Sequence, residues 1–399
     1  MNEESARSKF QGESTINREN GQDRRFYLSR EPVILTVLSV LATVFFLAVT
    51  GLSHVFHAQQ ESLGTRWFTR GAEDLRQQRF TAAEYDLRTA LLYSRDNFSY
   101  QFNLAEALIG QGRRTEARAY LVNLWDRAPE NGQVNLELAR IAVQSNETEK
   151  ALRYYHNAIY AAWPGDQELE RRDARLELVE FLLGIHATKQ AQSELIALAA
   201  NLDNDPSQHA RVADLFFRAQ DYEHAFAEYL LSLKSGPQNP AVLAGAGRAA
   251  FELRRYPLAQ RYLQAAVAAN PSDASSFAIL KTTELVLRMD PFSRSIPLFQ
   301  RDRIVVEDFA TAGARLKSCP GTVGASSPVS SAATQPNLAE QWMKMSKQVT
   351  ERGLRRNPEL IEGAMDLVFE IEHKTNDICG APTGNNLALL LISKSHEGN

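Results

Sequence analysis

Cysteine is nearly absent: two in 399 residues. That excludes a zinc fold built on thiolates and a small scaffold held by many disulfides. There is little excess of either charge, 44 Lys and Arg against 48 Asp and Glu, and basic residues form no long run. A nucleic-acid binder needs a basic face, and electrostatic lipid capture needs clustered Lys and Arg, so neither is expected. The signatures G-x-x-x-x-G-K-[ST], H-E-x-x-H, G-x-S-x-G, S-x-x-K and C-x-x-C-H do not occur. Their absence removes the usual marks of an NTPase, a zinc protease, a serine hydrolase or a c-type haem protein. Gly245-Ala-Gly247-Arg-Ala-Ala250 fits the loose dinucleotide fingerprint, but that motif needs a strand before it and a turn at its glycines. Here the stretch reads as helix. The chain is therefore expected not to be an enzyme and to carry no cofactor.

What is present begins with one long apolar run. Val33 to Leu52 is 20 residues without a charge, about 30 Å as a helix and enough for a bilayer core. Before it, residues 1–31 mix six basic and six acidic side chains with no apolar run, the composition of a disordered tail. Arg18, Arg24, Arg25 and Arg30 precede the run closely, whereas the first basic residue after it is Arg66. The positive-inside rule then keeps the tail in the cytoplasm and sends the C-terminal bulk across. The length of the run favours an uncleaved signal anchor at 32–53 over a cleaved signal peptide. His54 and His57, three apart beyond the span, lack a visible third metal ligand and read as polar residues at a helix end. Asn97-Phe-Ser99 and Asn146-Glu-Thr148 are glycosylation sequons at near-chance frequency.

From Gly64 a repeat appears. Alanine recurs at Ala83, Ala117, Ala151, Ala191, Ala225 and Ala259, spaced 34, 34, 40, 34 and 34. At about one Ala in ten, that register arises by chance with odds of order 10⁻⁶. Twelve residues earlier stands a mostly small column, Gly71, Ala105, Ala139, Val179, Ala213 and Gly247; four residues later a large one, Leu87, Leu121, Tyr155, Leu195, Tyr229 and Leu263. Pro129, Pro237 and Pro271 close units, with Pro164 and Pro206 slightly out of register. Each unit reads as two amphipathic helices joined by a polar turn such as Gln111-Gly112-Arg113-Arg114, with small residues where helices cross closely.

Residues 64–273 resemble the tetratricopeptide repeat. Trp67 falls at the large aromatic of the first unit, and Tyr222 and Tyr256 fall where a second helix opens. The fourth unit departs: Val179 and Leu198 stand at small positions, and about six extra residues near Asp166 to Arg171 call for a longer loop or a longer first helix. The resemblance implies an all-α, right-handed solenoid over 54–289, with six repeats and a degenerate seventh starting at Ala274. It also implies a role in binding other proteins.

After Pro291 the register is lost. Residues 290–318 contain one amphipathic stretch, Gln300 to Lys317, expected to cap the open end of the array. Residues 317–336 are rich in Ser, Pro, Ala, Gly and Thr and read as a linker. The rest of 319–399 holds two helical stretches, Asn337–Arg355 and Pro358–Asn376, with Asn337 and Asn357 as expected caps. Leu387 to Ile392 is too short to span and reads as a buried strand or helix end. Cys319 and Cys379 both lie beyond the span, so in an oxidising compartment they are expected to pair.

In a tetratricopeptide array the first helix of each pair lines the concave face. Counting from the small column, offsets −3, +1 and +4 share one helix face. They select Phe68, Phe102, Leu136 and Leu176 at −3, Glu106, Arg140, Glu180, Asp214 and Arg248 at +1, and Ile109, Phe217 and Phe251 at +4. The expected surface is an apolar groove crossed by charges of both signs, suited to a protein or peptide segment and not to nucleic acid. The expectation is a scaffold on the outer face of a cytoplasmic membrane, the periplasm in a bacterium, serving assembly, export or envelope upkeep. Two rivals remain: a subunit of an envelope polysaccharide or cofactor-assembly system active through 290–399, and a signal transducer acting through the tail. Oligomeric state is not legible.

Overall fold

The computed structural model describes residues 31–163, 165, 167–235, 239–293, 296–319 and 337–396. The tail (except Glu31), linker residues 320–336, Pro164, Asp166 and Pro237 lie outside the described residues. Among the described residues every regular element is a helix. The chain divides into two compact units between Glu147 and Thr148.

The first unit holds α1 (Glu31–Arg76), α2 (Phe80–Tyr93), α3 (Phe98–Gly110), α4 (Arg114–Arg127) and α5 (Gly132–Gln144). The helix expected over 32–53 does not stop there. Between Leu52 and Gly64 there is no proline and no turn signal, and Ala58, Gln59, Gln60, Glu61 and Leu63 favour helix, so α1 runs on for 46 residues into the first repeat. Its apolar part is exposed all round and is long and apolar enough to cross a membrane. The hydroxyls of Thr36, Thr43 and Thr50 donate to the carbonyls of Val33, Ser39 and Phe46 at 2.9, 2.8 and 2.8 Å, which satisfies polar groups that lipid cannot. His54 and His57 are exposed, and among the described residues no group of three His, Cys, Asp or Glu is placed to hold a metal.

The second unit begins with α6 (Thr148–Tyr160), α7 (Gln167–Gly184), α8 (Thr188–Ala199), α9 (Pro206–Arg218), α10 (Tyr222–Ser235), α11 (Pro240–Glu252), α12 (Tyr256–Ala269) and α13 (Ala274–Met289). It ends with α14 (Leu298–Ser318), α15 (Leu338–Ser346), α16 (Glu351–Arg356), α17 (Glu359–Cys379) and α18 (Gly384–His396).

The repeat columns form the core. All six alanines from Ala83 to Ala259 are fully buried, as are Ala105, Ala139, Val179 and Ala213 of the mostly small column. The small column takes the large one of its own pair: a Cβ on Gly71 would stand 2.7 Å from Leu87 Cγ, and one on Gly247 2.6 Å from Leu263 Cγ. Close approach of the two backbones is what the small residues permit.

Local chemistry repeats in the same register. The turn after each first helix contains one residue with positive φ: Gln78, Gly112, Asn146, His186, Gln220 and Arg254. The next residue's N–H reaches back to a carbonyl five positions earlier, as in Arg79 to Asp74 at 2.8 Å and Arg113 to Leu108 at 2.8 Å. This is the Schellman closure, which satisfies the last helical carbonyls. Only one of the six is glycine, so the other five tolerate left-handed backbone for the sake of the turn. First helices open on an Asn or Asp side chain that accepts from a backbone N–H: Asn97, Asn131, Asp205, Asn239 and Asp273. In the fourth pair the equivalent position is Arg171, which cannot cap. There α7 starts earlier, at Gln167, and reaches 18 residues against 13 for α3, α5, α9 and α11. The extra residues therefore lengthen the first helix. Pro206 does not close the fourth unit; it occupies the first turn of α9 after the Asp205 cap, where a missing N–H is harmless.

The C-terminal part departs from expectation at three points and decides between two alternatives at a fourth, the helical reading of Leu387 to Ile392. Asn337 caps α15, but the stretch to Arg355 is two helices, interrupted where Thr350 caps α16 through Gly353 N. Asn357 ends α16 and does not cap α17. Leu387 to Ile392 is helical and lies within α18, with Ala388, Leu389, Leu390 and Ile392 buried. The helix that packs along α13 is α18, while α14 packs on α17; closure of the array thus draws on the last helix as well as on the expected α14. One cluster joins Val286 and Met289 of α13 to Phe309 and Leu316 of α14, Met365 and Val368 of α17 and Leu389 of α18. Cys319, directly after α14, is disulfide-bonded to Cys379 at the end of α17, with Cα atoms 6.0 Å apart.

Candidate partner-binding face

The first helices carry the selected residues, and burial sorts them. Phe102, Leu136 and Leu176 are each only 7% exposed. They belong to the core and do not line an open groove, a correction to the apolar −3 column. Phe68 is half-buried and stacks on Tyr100 with ring centroids 4.8 Å apart. Ile109, Phe217 and Phe251 are half-buried. Phe251 packs against the C-terminal cluster and meets Tyr256 edge-on at 5.7 Å, so the chain itself covers much of it.

The +1 column is where polarity reaches solvent. In the first unit Glu106 is half-buried, and Arg140 forms an ion pair with Glu137 of its own helix. Burial, and then the charge of Glu137, push the Glu106 carboxyl up to about 7, against the opposing pull of Arg140. In the second unit Glu180 of α7 is paired with Arg218 of α9 at 2.8 Å. Asp214 accepts the hydroxyl of Tyr229, and the Arg248 guanidinium lies 5.4 Å from the centre of the Phe217 ring. The charges therefore pair locally within each unit, and in the second unit the Arg248 guanidinium lies against the half-buried Phe217 ring.

Glu137, Arg218 and Tyr100 were not among the selected positions. The first two stand at offsets −2 and +5, three and four residues from the +1 column, so the helical neighbour rule finds them once a charged face is suspected. Tyr100 stands at −5 and has no such signal.

Glu106 gives a prediction. Its folded-state pKa lies above the ordinary carboxylate value, so the protonated form is the one that folding favours. Its contribution to stability is complete below about pH 4.5 and is lost as pH rises through about 7. Glu106→Gln, which stays neutral, is expected to match the parent near pH 4 and to be the more stable of the two at pH 8. Amide exchange of α3 and α5 in increasing urea at the two pH values measures this; equal stability of parent and variant at both would remove the assignment.

Two helices per unit, mostly at a period of 34 residues and with small columns at the crossings, are matched by known repeats. One tetratricopeptide-repeat profile matches residues 108–162, and another matches 68–121 and 245–279. Residues 68–162 and 245–279 are tetratricopeptide repeats. The fold of the chain is all-α, made of helix–turn–helix repeats preceded by one long apolar helix. No curated protein matches the chain. Similar solved structures include PilF of Pseudomonas aeruginosa, 19% identical over 54% of this chain and 95% of that one, with a TM-score of 0.40. A tetratricopeptide-repeat protein of Parabacteroides merdae is 13% identical over 72% and 99% of the two chains, with a TM-score of 0.39. PilW, described as a type IV pilus biogenesis factor, is 15% identical over 55% and 98%, with a TM-score of 0.39. Tetratricopeptide repeats in general serve as scaffolds for protein–protein contacts.

Proposed function

We propose that this tetratricopeptide-repeat protein is a single-pass membrane scaffold that captures a segment of another protein outside the cytoplasm. The layout of the reading is a tail at 1–31, an anchor at 32–53, the array at 54–289 and a closing C-terminal region. The continuity of α1 supports a stiff spacer: about 11 residues between the apolar span and Gly64 hold the first repeat roughly 16 Å from the bilayer core. A scaffold held at that height acts on partners at the membrane surface, as assembly, export or envelope upkeep requires. For a bacterial source this space is the periplasm.

The observation that carries the binding reading lies in the second unit: the Glu180–Arg218 pair, with half-buried Phe217 next to Arg218 in sequence and held against the Arg248 guanidinium. Opposed charges set the register of a bound segment and aromatic edges supply affinity. The test is a charge swap, Glu180→Arg with Arg218→Glu, which preserves the pair. Both side chains are about half exposed, so melting is expected to change little. Capture of the partner by crosslinking pull-down from membranes is expected to weaken by about 1–3 kcal/mol if these side chains contact it. Unchanged capture with an intact fold moves the binding site elsewhere. A reporter active only outside the cytoplasm, fused after Asn399, is expected to be active; silence there refutes the topology.

A further inference from the structure

A second feature lies in the C-terminal helices. Asp308 of α14 is 1% exposed, and its Oδ2 has no hydrogen-bond partner among the described residues. A buried carboxylate without a donor is costly to keep. The group borders a cavity of about 570 Å³, so a donor brought from outside has room. The cations around the same cavity are already engaged: Arg303 with Glu307 at 2.9 Å, and Arg355 with Glu351 at 3.0 Å and Asp302 at 3.3 Å. Arg288 also reaches the cavity but lies exposed on α13.

The rest of the wall narrows the ligand. Met289 and Ile304 are apolar and buried, and Phe299 is apolar and 68% exposed. With Leu298 beside it at 73% exposed, Phe299 offers a surface for a hydrocarbon stem. Glu307 and Glu351 line the wall too and pair with Arg303 and Arg355, so two of the wall's three guanidiniums are already matched by carboxylates. What fits is a cationic donor on an apolar stem.

We propose that this cavity binds a primary ammonium group carried on a short alkyl chain, with Asp308 as its carboxylate partner. Two sources supply that chemistry: the lysine side chain of a protein segment and a small free alkylamine. Burial, reinforced by Glu307 and Asp290, holds the Asp308 carboxyl at about 8, so an incoming ammonium displaces a proton at neutral pH. The charged groups that face the cavity are Arg288, Arg303, Glu307, Glu351 and Arg355.

Calorimetric titration of the full chain in detergent tests the site. The probes are n-butylammonium, lysine capped at both ends, and 1-pentanol as the uncharged control. Saturable binding of an amine is expected. Asp308→Asn, close in shape to the protonated acid, is expected to weaken it at least about tenfold with the melting temperature unchanged. In the parent protein the ionised fraction rises from about a tenth to nine tenths between pH 7 and pH 9, so affinity is expected to rise about tenfold. That second reading stands even if the variant fails to fold. Tighter binding of capped lysine than of butylammonium assigns the site to a lysyl segment; binding of butylammonium alone assigns it to a free amine. The proposal is overturned if neither amine saturates, if 1-pentanol binds as well, or if affinity is flat with pH.

Discussion

Changing Cys319 and Cys379 together to serine is expected to lower the stability of the C-terminal helices by about 4 kcal/mol. The bond spans 60 residues, and closing a loop of that size removes about 14 cal/mol/K of entropy from the unfolded chain. The effect acts through the unfolded state because other contacts already hold the joined elements. Arg315 of α14 donates to the Thr375 hydroxyl at 2.7 Å and to the Gly380 carbonyl at 2.9 Å, and lies 3.3 Å from buried Glu372. Trp342 of α15 stacks on Phe309 and donates its ring N–H to the Phe309 carbonyl at 3.1 Å. The serine variant is therefore expected to keep the native helix content. The chain has two compact units, so a single global unfolding curve is the wrong readout. Hydrogen exchange of α14 and α17 amides, compared between parent and variant, isolates the relevant opening. A change below about 1 kcal/mol refutes the entropic account. Two alkylatable thiols in the native protein would instead place this region in a reducing compartment and count against the proposed topology.

The repeat was legible because its signal is redundant. Three columns of size, each at 34 residues but for one step of 40, report the same crossings, and a single departure such as Val179 does not erase them. The span was legible because 20 uncharged residues admit few other readings. What the sequence hid was of a different kind. The continuity of α1 past residue 53 depends on nothing interrupting it, and an absence of breakers is a weak signal. The Schellman turns were hidden because Gln78, His186, Gln220 and Arg254 occupy a conformation usually marked by glycine. The Asn and Asp caps were visible in principle: Asn97, Asn131, Asn239 and Asp273 keep the same register as the alanines. At the candidate face, offsets along a helix identified which side chains share a side but not how deep each lies. Phe102, Leu136 and Leu176 fall into the core because neighbouring helices cover them, a fact of tertiary packing that no single-helix pattern contains. Asp308 was hidden for the same reason, since only the packing of the C-terminal helices buries it.

Gly247→Leu is expected to destabilise the second unit by about 3 kcal/mol or more, and the reason also disposes of the dinucleotide look-alike at 245–250. Both glycines of that motif lie inside α11, and both face side chains of the preceding or following second helix. A Cβ on Gly245 would stand 2.4 Å from Tyr229 Cζ, and one on Gly247 2.6 Å from Leu263 Cγ and 3.1 Å from the Leu263 backbone nitrogen. Tyr229 is 1% exposed and Leu263 fully buried, so neither ring nor branch has space to retreat. The glycines thus set the helix spacing, and no phosphate cradle is formed. Overpacking at a site that cannot relax costs about 1–3 kcal/mol per added group of this size, and more when the backbone is struck. Gly247→Ala is expected to lose less, because the alanine gains about 1 kcal/mol of helix propensity against the same clash. Gly363 supplies the opposite case: it lies inside α17 with nothing within 4 Å of an added Cβ. Gly363→Ala is therefore expected to stabilise by about 0.5–1 kcal/mol. Thermal or denaturant unfolding followed by amide exchange in α11 and α17 compares the three variants. If Gly247→Ala proved as stabilising as Gly363→Ala, the close crossing of α11 and α12 would not be the constraint that selects glycine there.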